Sequence, residues 1–318
     1  MPTTTAANPE LGRKYVQKFV EGYTTKNPTV YKQYMGEVVS TTLNQYMHME
    51  ETGMGTAVET AEGANIGVDS FTTRNRTTLT GVKRALAFDV TAEAVETDQF
   101  GVIEKRAMKM ARAFQKTREI VFTNAFFNNA FTSTGLVPAA TANNLYSSSG
   151  LSSGTGHVTE APGIRFNNRG VLSGSSYADV ALGYFPLELA IQTFTAAVDA
   201  KGIPDPIFGN KILVVPTALQ GIANRIVNSA KVAGTTDNDV AWAAGQVAKV
   251  VVNPFLTSTT AWFLVDAAEN PFFELNRRGY KVVMKDNRAD NDSYKYTGTE
   301  IYAPGVWRAQ GCWGSTGA

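Results

Sequence analysis

"GVIEKRAMKMARAFQKTREIVFTNAFFNNAF", residues 101–131, carries the clearest periodicity in the chain. Ile103, Ala107, Met110, Phe114, Val121 and Ala125 recur at helical spacing and share one face. Lys105, Lys109, Arg112 and Lys116 fall together on the opposite face, at about 100° per residue. A helix over 102–131 would run about 45 Å at about 1.5 Å per residue. That is long for a globular enzyme and suits a structural strut.

Upstream, residues 54–100 open with glycines and pass into "FTTRNRTTLTGVKRALAFDVTAEAVE". Leu86, Phe88 and Val90 alternate at period two, as in a half-buried strand. The stretch reads as a long, polar, two-stranded excursion, and an isolated hairpin is marginal in water. It needs a neighbour to lie on. Residues 1–50 suggest one or two short helices, with Tyr15, Phe19 and Tyr23 on one stripe and Tyr31, Tyr34, Val38 and Val39 on a second. This arm has little core of its own.

Downstream, residues 132–180 are rich in Ser, Gly, Asn and Ala and read as loop. A helix over Pro186–Ala200 opens an α/β part. In "GNKILVVPTALQGIANRIVNS", residues 209–229, the run Ile212–Val215 reads as a buried strand. Thr217 is placed to cap a helix whose apolar face is Leu219, Ile222, Ala223, Ile226 and Val227. Residues 231–247 read as a polar loop, then "KVVVNPFLT" and "AWFLVD" as strands. The stretch from Tyr280 reads as strands joined by an Asp/Asn turn.

Bulk properties remove several function classes. The chain has 318 residues, 43% hydrophobic, and a formal net charge of +1, with no global bias toward nucleic acid or membrane. A single cysteine, Cys312, allows neither an intramolecular disulfide nor a thiolate zinc cluster. Two histidines, His48 and His157, leave little for metal or acid–base sites. The first residues have no signal-peptide pattern, and no run approaches the ~18 apolar residues of a membrane helix. A reducing compartment is the expectation.

The motifs with chemical content are few. The strand–helix junction Val215-Pro216-Thr217-Ala218 has no glycines and no following Lys, so it is not a phosphate cradle. "GLSSG", residues 150–154, matches the nucleophile elbow with Ser152 in the middle and His157 nearby. It lacks the strand before and the helix after that the elbow requires. A Ser152–His157 hydrolase is therefore one rival reading, and a β-rich binding module another. "DNRADND", residues 286–292, lacks calcium-loop spacing and reads as a hairpin turn. His48 reads as a packed or surface residue, with no second His or Cys near, and Cys312 as buried. No catalytic residue, metal or cofactor is expected. The basic face 105–116 has three readings: a solvated face, pairing with an acidic segment of a neighbouring subunit such as Glu93, Glu96 and Asp98, or contact with nucleic acid phosphate. An arm, an excursion, a strut and long loops bury surface only if other copies supply it, which points to an assembly subunit.

In this order the parts resemble the major capsid proteins of tailed bacteriophages, with the Hong Kong 97-type α+β fold. The stretches that carry the resemblance are "ETDQFGVIEKRAMKMARAFQKTREIVFTNAF", "LYSSSGLSSG" followed by "FNNRG", "KILVVPTALQGIANRIVNS" and "KVVVNPFLTSTTAWFLVD". The resemblance implies an N-arm over 1–53 and an extension loop, a β-hairpin, over 54–100. It implies a peripheral domain with the spine helix over 101–182, an axial domain over 183–275, and a return to the peripheral domain over 276–318. It implies a virion shell subunit that self-assembles as hexamers and pentamers into an icosahedral container for double-stranded DNA, formed in the bacterial host cytoplasm. Portal and scaffolding or decoration proteins are the implied partners, with no membrane. An encapsulin-like compartment for cargo protein keeps the fold and changes the contents. In the extension loop, Arg74, Arg76, Lys83 and Arg84 form a basic region expected to meet acidic surface on the adjacent subunit, with Glu93, Glu96 and Asp98 near the base. Lys83 is the only lysine there and nothing marks a partner, so no cross-link is assigned.

Overall fold

The computed structural model describes residues 29–51, 55–69, 73–97, 102–132, 144–146, 157–158, 165–166, 168–173, 176–197, 203–231, 240–286 and 292–317. Its strands are β1 (Glu37–Ser40), β2 (Gln45–Glu51), β3 (Thr73–Thr80), β4 (Val82–Thr91), β5 (His157–Val158), β6 (Arg165–Phe166), β7 (Val171–Ser173), β8 (Ser176–Ala178), β9 (Lys211–Val215), β10 (Val247–Val252), β11 (Trp262–Asp266), β12 (Phe272–Asp286), β13 (Ser293–Val306) and β14 (Cys312–Ser315). Its helices are α1 (Ala92–Glu96), α2 (Val102–Thr123), α3 (Tyr184–Thr195), α4 (Gln220–Asn228) and α5 (Trp242–Gln246). None is long and apolar enough to cross a membrane.

The expected strut is α2. Its stripe Ile103, Ala107, Met110 and Phe114 is buried against Val90, Tyr294 and Tyr296. The helix lies on a four-stranded sheet of order β1-β12-β13-β4, in which only the β1–β12 pair is parallel. Close approach depends on Gly298 of β13, where an added Cβ would stand 2.7 Å from the Phe114 ring and 2.9 Å from Met110 Cε. At its C-terminal end the helix widens into a π turn, Asn124–Asn128. That turn buries the adjacent Phe126 and Phe127 together; Phe126 stacks on Phe272 at 4.3 Å and Phe127 meets Phe263 at 4.7 Å.

The second sheet has order β10-β9-β11-β14. Its central strands are buried on both faces, which is why they read as unbroken apolar runs. Ile212, Val214, Phe263 and Val265 face the aromatic core at the end of α2. Leu213, Val215, Trp262 and Leu264 face a second core shared with α3, α4 and α5. At one end of these strands, Lys211 and Asp266 are register partners and form a buried ion pair at 2.6 Å. Lys211 Nζ also donates to the carbonyls of Ile207 and Gly209, while Asp266 Oδ1 accepts the amides of Ala268 and Glu269. A buried charge pair persists only with such full satisfaction.

The structure redraws several sequence expectations. A hairpin is present, but it is β2 with β3, Gln45–Thr80, rather than a two-stranded element over 54–100. The alternating strand β4 pairs with β13 over its whole length and belongs to the main sheet. Tyr31 sits in a 3-10 turn and Val38 and Val39 in β1, so the second stripe is no helix. The C-terminal stretch divides: β12 and β13 complete the sheet under α2, whereas β14 joins β11 in the second sheet. A 3-10 turn, Thr217–Leu219, precedes α4, so Thr217 sits inside that turn and Leu219 occupies the helix's N-cap position. Ile222 is half-buried; Ala223 is the buried residue of α4. Part of the polar loop 231–247 is the helix α5.

Candidate assembly surfaces

Strand alternation gives the main sheet two chemically different faces. On β13, Tyr294, Tyr296, Glu300 and Tyr302 point toward α2, as do Phe88 and Val90 on β4 and Phe272 and Glu274 on β12. The opposite face of the same strands carries Phe273, Leu275 and Ala303, and there the hairpin is rooted through Leu79 and Tyr46. Tyr46 stands edge-on to Phe273 and to Trp307. His48 packs edge-on against Trp307 at 4.6 Å, with Nε2 at hydrogen-bonding distance from the Trp307 carbonyl. Hairpin and long helix therefore lie on opposite sides of one sheet.

Beneath the helix, a buried charged cluster ties it to the sheet. Arg118 donates to Glu274 Oε1 at 2.7 Å and to Glu300 Oε2 at 3.0 Å, and its guanidinium lies over the Tyr302 ring. Burial raises both carboxyls above the usual range, and Arg118 opposes that shift. The next residue, Glu119, accepts the Tyr31 amide through Oε2 at 2.9 Å and holds residues 29–34 on the helix. Tyr31 stacks on Phe122 there. Glu119 is 5% exposed and its Oε1 has no hydrogen-bond partner. Burial pushes its carboxyl up to about 7.

On the outer side of α2, Lys105, Lys109, Arg112 and Lys116 are all exposed, as the phase of the helix requires. Among the described residues none of them pairs with a carboxylate. Of the basic residues expected in the excursion, Lys83 is exposed on β4. Arg84 is engaged within its own chain, over the Tyr302 ring at 4.2 Å and donating to the Tyr302 and Val82 carbonyls. Arg74 and Arg76 fall on β3, with side chains outside the described residues. Glu93 is exposed on α1; the Glu96 side chain and all of Asp98 lie outside the described residues.

Sequence reasoning missed the far end of the hairpin. In residues 55–69 every residue is exposed. Val58 and Ile66 are each 83% exposed and Val68 is 98% exposed. Three carboxylates, Glu59, Glu62 and Asp69, occur there without a basic residue. The signal was present as a 15-residue stretch mixing aliphatic and acidic residues. The loop has local order: Ala64 N–H donates to Ala61 O across a turn with Gly63 at φ +79°, and Asp69 accepts the Gly55 amide.

Among the described residues, no catalytic centre is assembled. Ser152 lies outside the described residues, and His157 is described only as backbone in β5. A cavity of about 310 Å³ beside α4 is lined by Gly183, Tyr184, Ile222, Arg225, Ile226, Ser229 and Lys231. Cations and aliphatics there offer no general base. Cys312 is buried, and burial pushes its thiol up. No group of three potential metal ligands occurs among the described residues.

The family model described as phage capsid protein matches residues 75–314. Among solved structures, the chain is similar to the capsid of a native GTA particle, with 15% identity and a TM-score of 0.53 over 91% of this chain and 90% of that one. The capsid of the empty GTA particle gives 12% identity and a TM-score of 0.53 over the same shares. A chain of Mycobacterium phage Adephagia gives 15% identity and a TM-score of 0.50, covering 91% of this chain and 88% of that one. No curated protein matches in sequence.

Proposed function

The chain belongs to the phage capsid protein family, as a major capsid protein of the Hong Kong 97-type fold, and from that premise we propose how it builds its shell. Many copies tile as hexamers and pentamers into an icosahedral head, and each hairpin reaches a neighbour. The observation that carries this reading is the hairpin Gln45–Thr80, whose root is packed and whose far loop exposes its aliphatic side chains. The main sheet with α2 corresponds to a peripheral domain, and the second sheet with α3–α5 to an axial domain that meets its copies around the symmetry axes.

The head holds the double-stranded DNA of a tailed phage and is assembled in the host cytoplasm, with portal and scaffolding or decoration proteins as partners. The stripe Lys105, Lys109, Arg112 and Lys116 faces that DNA. Its support is position: it lies on the side of the sheet away from the hairpin, exposed and, among the described residues, without carboxylate partners. Non-specific phosphate contact needs no more than such a stripe. An encapsulin-like compartment has less support, since the matching family is one of phage capsids.

Electron microscopy of the purified chain, with nuclease treatment of the particles, tests the reading. Closed shells protecting DNA are expected. A chain that stays monomeric at all concentrations refutes it. Lys105→Glu with Lys109→Glu leaves shells intact and lowers DNA retention; loss of the shells themselves assigns the stripe to a subunit contact instead.

A further inference from the structure

The edge of a sheet carries unpaired main-chain groups, and native folds blunt such edges. In the second sheet the edge strand β14 has four residues, and Asn168–Gly170 cover it by exchanging main-chain bonds with Gly314. The other edge, β10, has six residues and a shift of register after Val247. In the main sheet the edge strand β1 has four residues. The remaining edge is β4. It has ten residues, pairs with β13 without a break in register and ends the strand order. It contains neither a proline nor a bulge.

The ladder fixes where the main-chain groups of β4 point. Ala92 N–H donates to Asp292 O at 2.9 Å, one step beyond the register pair Thr91–Ser293. Hydrogen-bonded and non-bonded pairs alternate along an antiparallel ladder, so the even-numbered residues of β4 bond β13. At the other end of β13, Trp307 N–H donates to Pro271 O on the β12 side, which is the same phase. Lys83, Ala85, Ala87 and Asp89 therefore turn N–H and C=O away from the sheet. Among the described residues, nothing bonds those groups. The side chains along this edge are uncovered too. Val82 is 51% and Leu86 46% exposed, although by alternation both lie on the face that α2 covers further in. Lys83, Ala85, Ala87 and Asp89 are exposed on the opposite face.

The sequence of β4 is its own complement. Laid antiparallel on a second β4 about Leu86, it sets Lys83 against the partner's Asp89, and Asp89 against the partner's Lys83, on one face. On the other face it sets Val82 against Val90, Arg84 against Phe88 and Leu86 against Leu86. Every outward-turned residue then meets another, Lys83 with Asp89 and Ala85 with Ala87, for about eight main-chain hydrogen bonds at two per bonded pair. Moving the axis to Ala85 or Ala87 keeps main-chain bonding but separates the charges. Opposite charges directly across a strand pair favour it and like charges oppose it, so charge selects the register centred on Leu86. We propose that β4 is a docking edge for β4 of a second copy of this chain, joining the two four-stranded main sheets into one continuous sheet across a two-fold axis. Its place in the shell rests on the shell reading above. Neighbours within a ring of five or six meet head to tail, whereas this contact is isologous and joins copies of adjoining rings. The hairpin takes no part in it.

The test uses Leu86→Cys in the full-length chain. Leu86 meets its own copy across the axis in a non-bonded pair, where Cβ atoms stand about 4.5–5.5 Å apart, close enough for a disulfide after a small shift. Mild oxidation of particles is expected to give a covalent dimer from this one variant. The single native thiol, Cys312, is buried and does not compete. Val82→Cys, whose two copies lie roughly 27 Å apart at about 3.4 Å per residue, is expected to give none. Ala85→Pro supplies a second reading. It removes an outward N–H that the lone subunit does not use, and proline is tolerated at such an edge. The dissociated variant keeps a thermal midpoint close to wild type, while its assembly yield falls roughly tenfold or more. Lys83→Glu lowers the Leu86→Cys cross-link several-fold, and adding Asp89→Lys restores it. Particles in which Leu86→Cys does not link, or in which Val82→Cys links as well, overturn the two-fold pairing and leave the shell reading standing. Full assembly of Ala85→Pro does the same. A wild-type chain that forms no particles overturns the shell reading, and the same oxidation of the concentrated soluble chain then decides the pairing.

Discussion

Arg118→Met removes one cation from beneath the long helix and leaves Glu274 and Glu300 facing each other in the core. The three side chains are 8%, 3% and 0% exposed, so water does not replace the lost contacts. Two charge-assisted bonds, of 2.7 and 3.0 Å, disappear along with a guanidinium over Tyr302. Breaking a buried pair by deleting one partner costs about 3–5 kcal/mol. That is a large part of the ~5–15 kcal/mol that holds a typical domain folded. The loss depends on pH in a defined direction. Both carboxyls already have raised pKa values because of burial, and removing Arg118 raises them further. A carboxyl with a raised folded-state pKa favours folding below its unfolded value, and that contribution is lost as pH rises through the folded value. The variant's deficit is therefore greatest at neutral pH and shrinks on acidification. Urea unfolding of dissociated subunits, followed by tryptophan fluorescence at several pH values, measures both effects. Adding Glu274→Gln and Glu300→Gln to Arg118→Met recovers most of the loss. A deficit below about 1 kcal/mol at pH 7, or one that does not shrink in acid, refutes this account of the cluster.

Glu119 gives a second pH effect. Its carboxyl is pushed from 4.5 up to about 7 by burial, so the native subunit loses stability between roughly those values as pH rises, by about 1–3 kcal/mol. Glu119→Gln flattens the unfolding free energy across that window, and an unchanged profile would show that Glu119 does not titrate there. Gly298→Ala forces a methyl toward Phe114 and Met110 and costs about 1–3 kcal/mol, read as a lowered thermal midpoint; a midpoint within a degree of wild type means the helix shifts freely. Val214→Asp places a carboxylate in the aromatic core, on a strand buried on both faces, and abolishes soluble expression. Ile222→Asp, at a half-buried site opening on the α4 cavity, stays soluble with a smaller loss of stability; equal insolubility of the two contradicts that difference in burial.

The elements legible in the sequence are those whose environment is local. Helix α2 shows its buried stripe at 3.6-residue spacing because one flat sheet covers it from Ile103 to Phe114. β9 and β11 appear as apolar runs because both their faces are covered. The alternation of Leu86, Phe88 and Val90 signals a face but names no partner. β4 pairs with residues 293–302, some 200 positions away, and nothing within β4 distinguishes that partner from β3. The phase of α2 already places Arg118 four residues after Phe114, on the buried side. Charge alone gives the opposite impression, because the two compensating carboxylates are on β12 and β13. At Thr217 a favourable capping residue is bypassed because Pro216 leads into a 3-10 turn before the α-helix begins. The acidic loop was readable as composition, but its meaning depends on exposure, which composition does not report.

The π turn at Asn124–Asn128 has a mechanical consequence. Phe126 and Phe127 reach Phe272 of the first sheet and Phe263 of the second, so both sheets share one aromatic core. A hinge at that junction would have to pull stacked rings apart and wet them. The two halves therefore turn as a single stiff plate. Any difference in tilt between copies of such a plate would fall on its margins, such as the hairpin beyond Tyr46 and Leu79, and not on this junction.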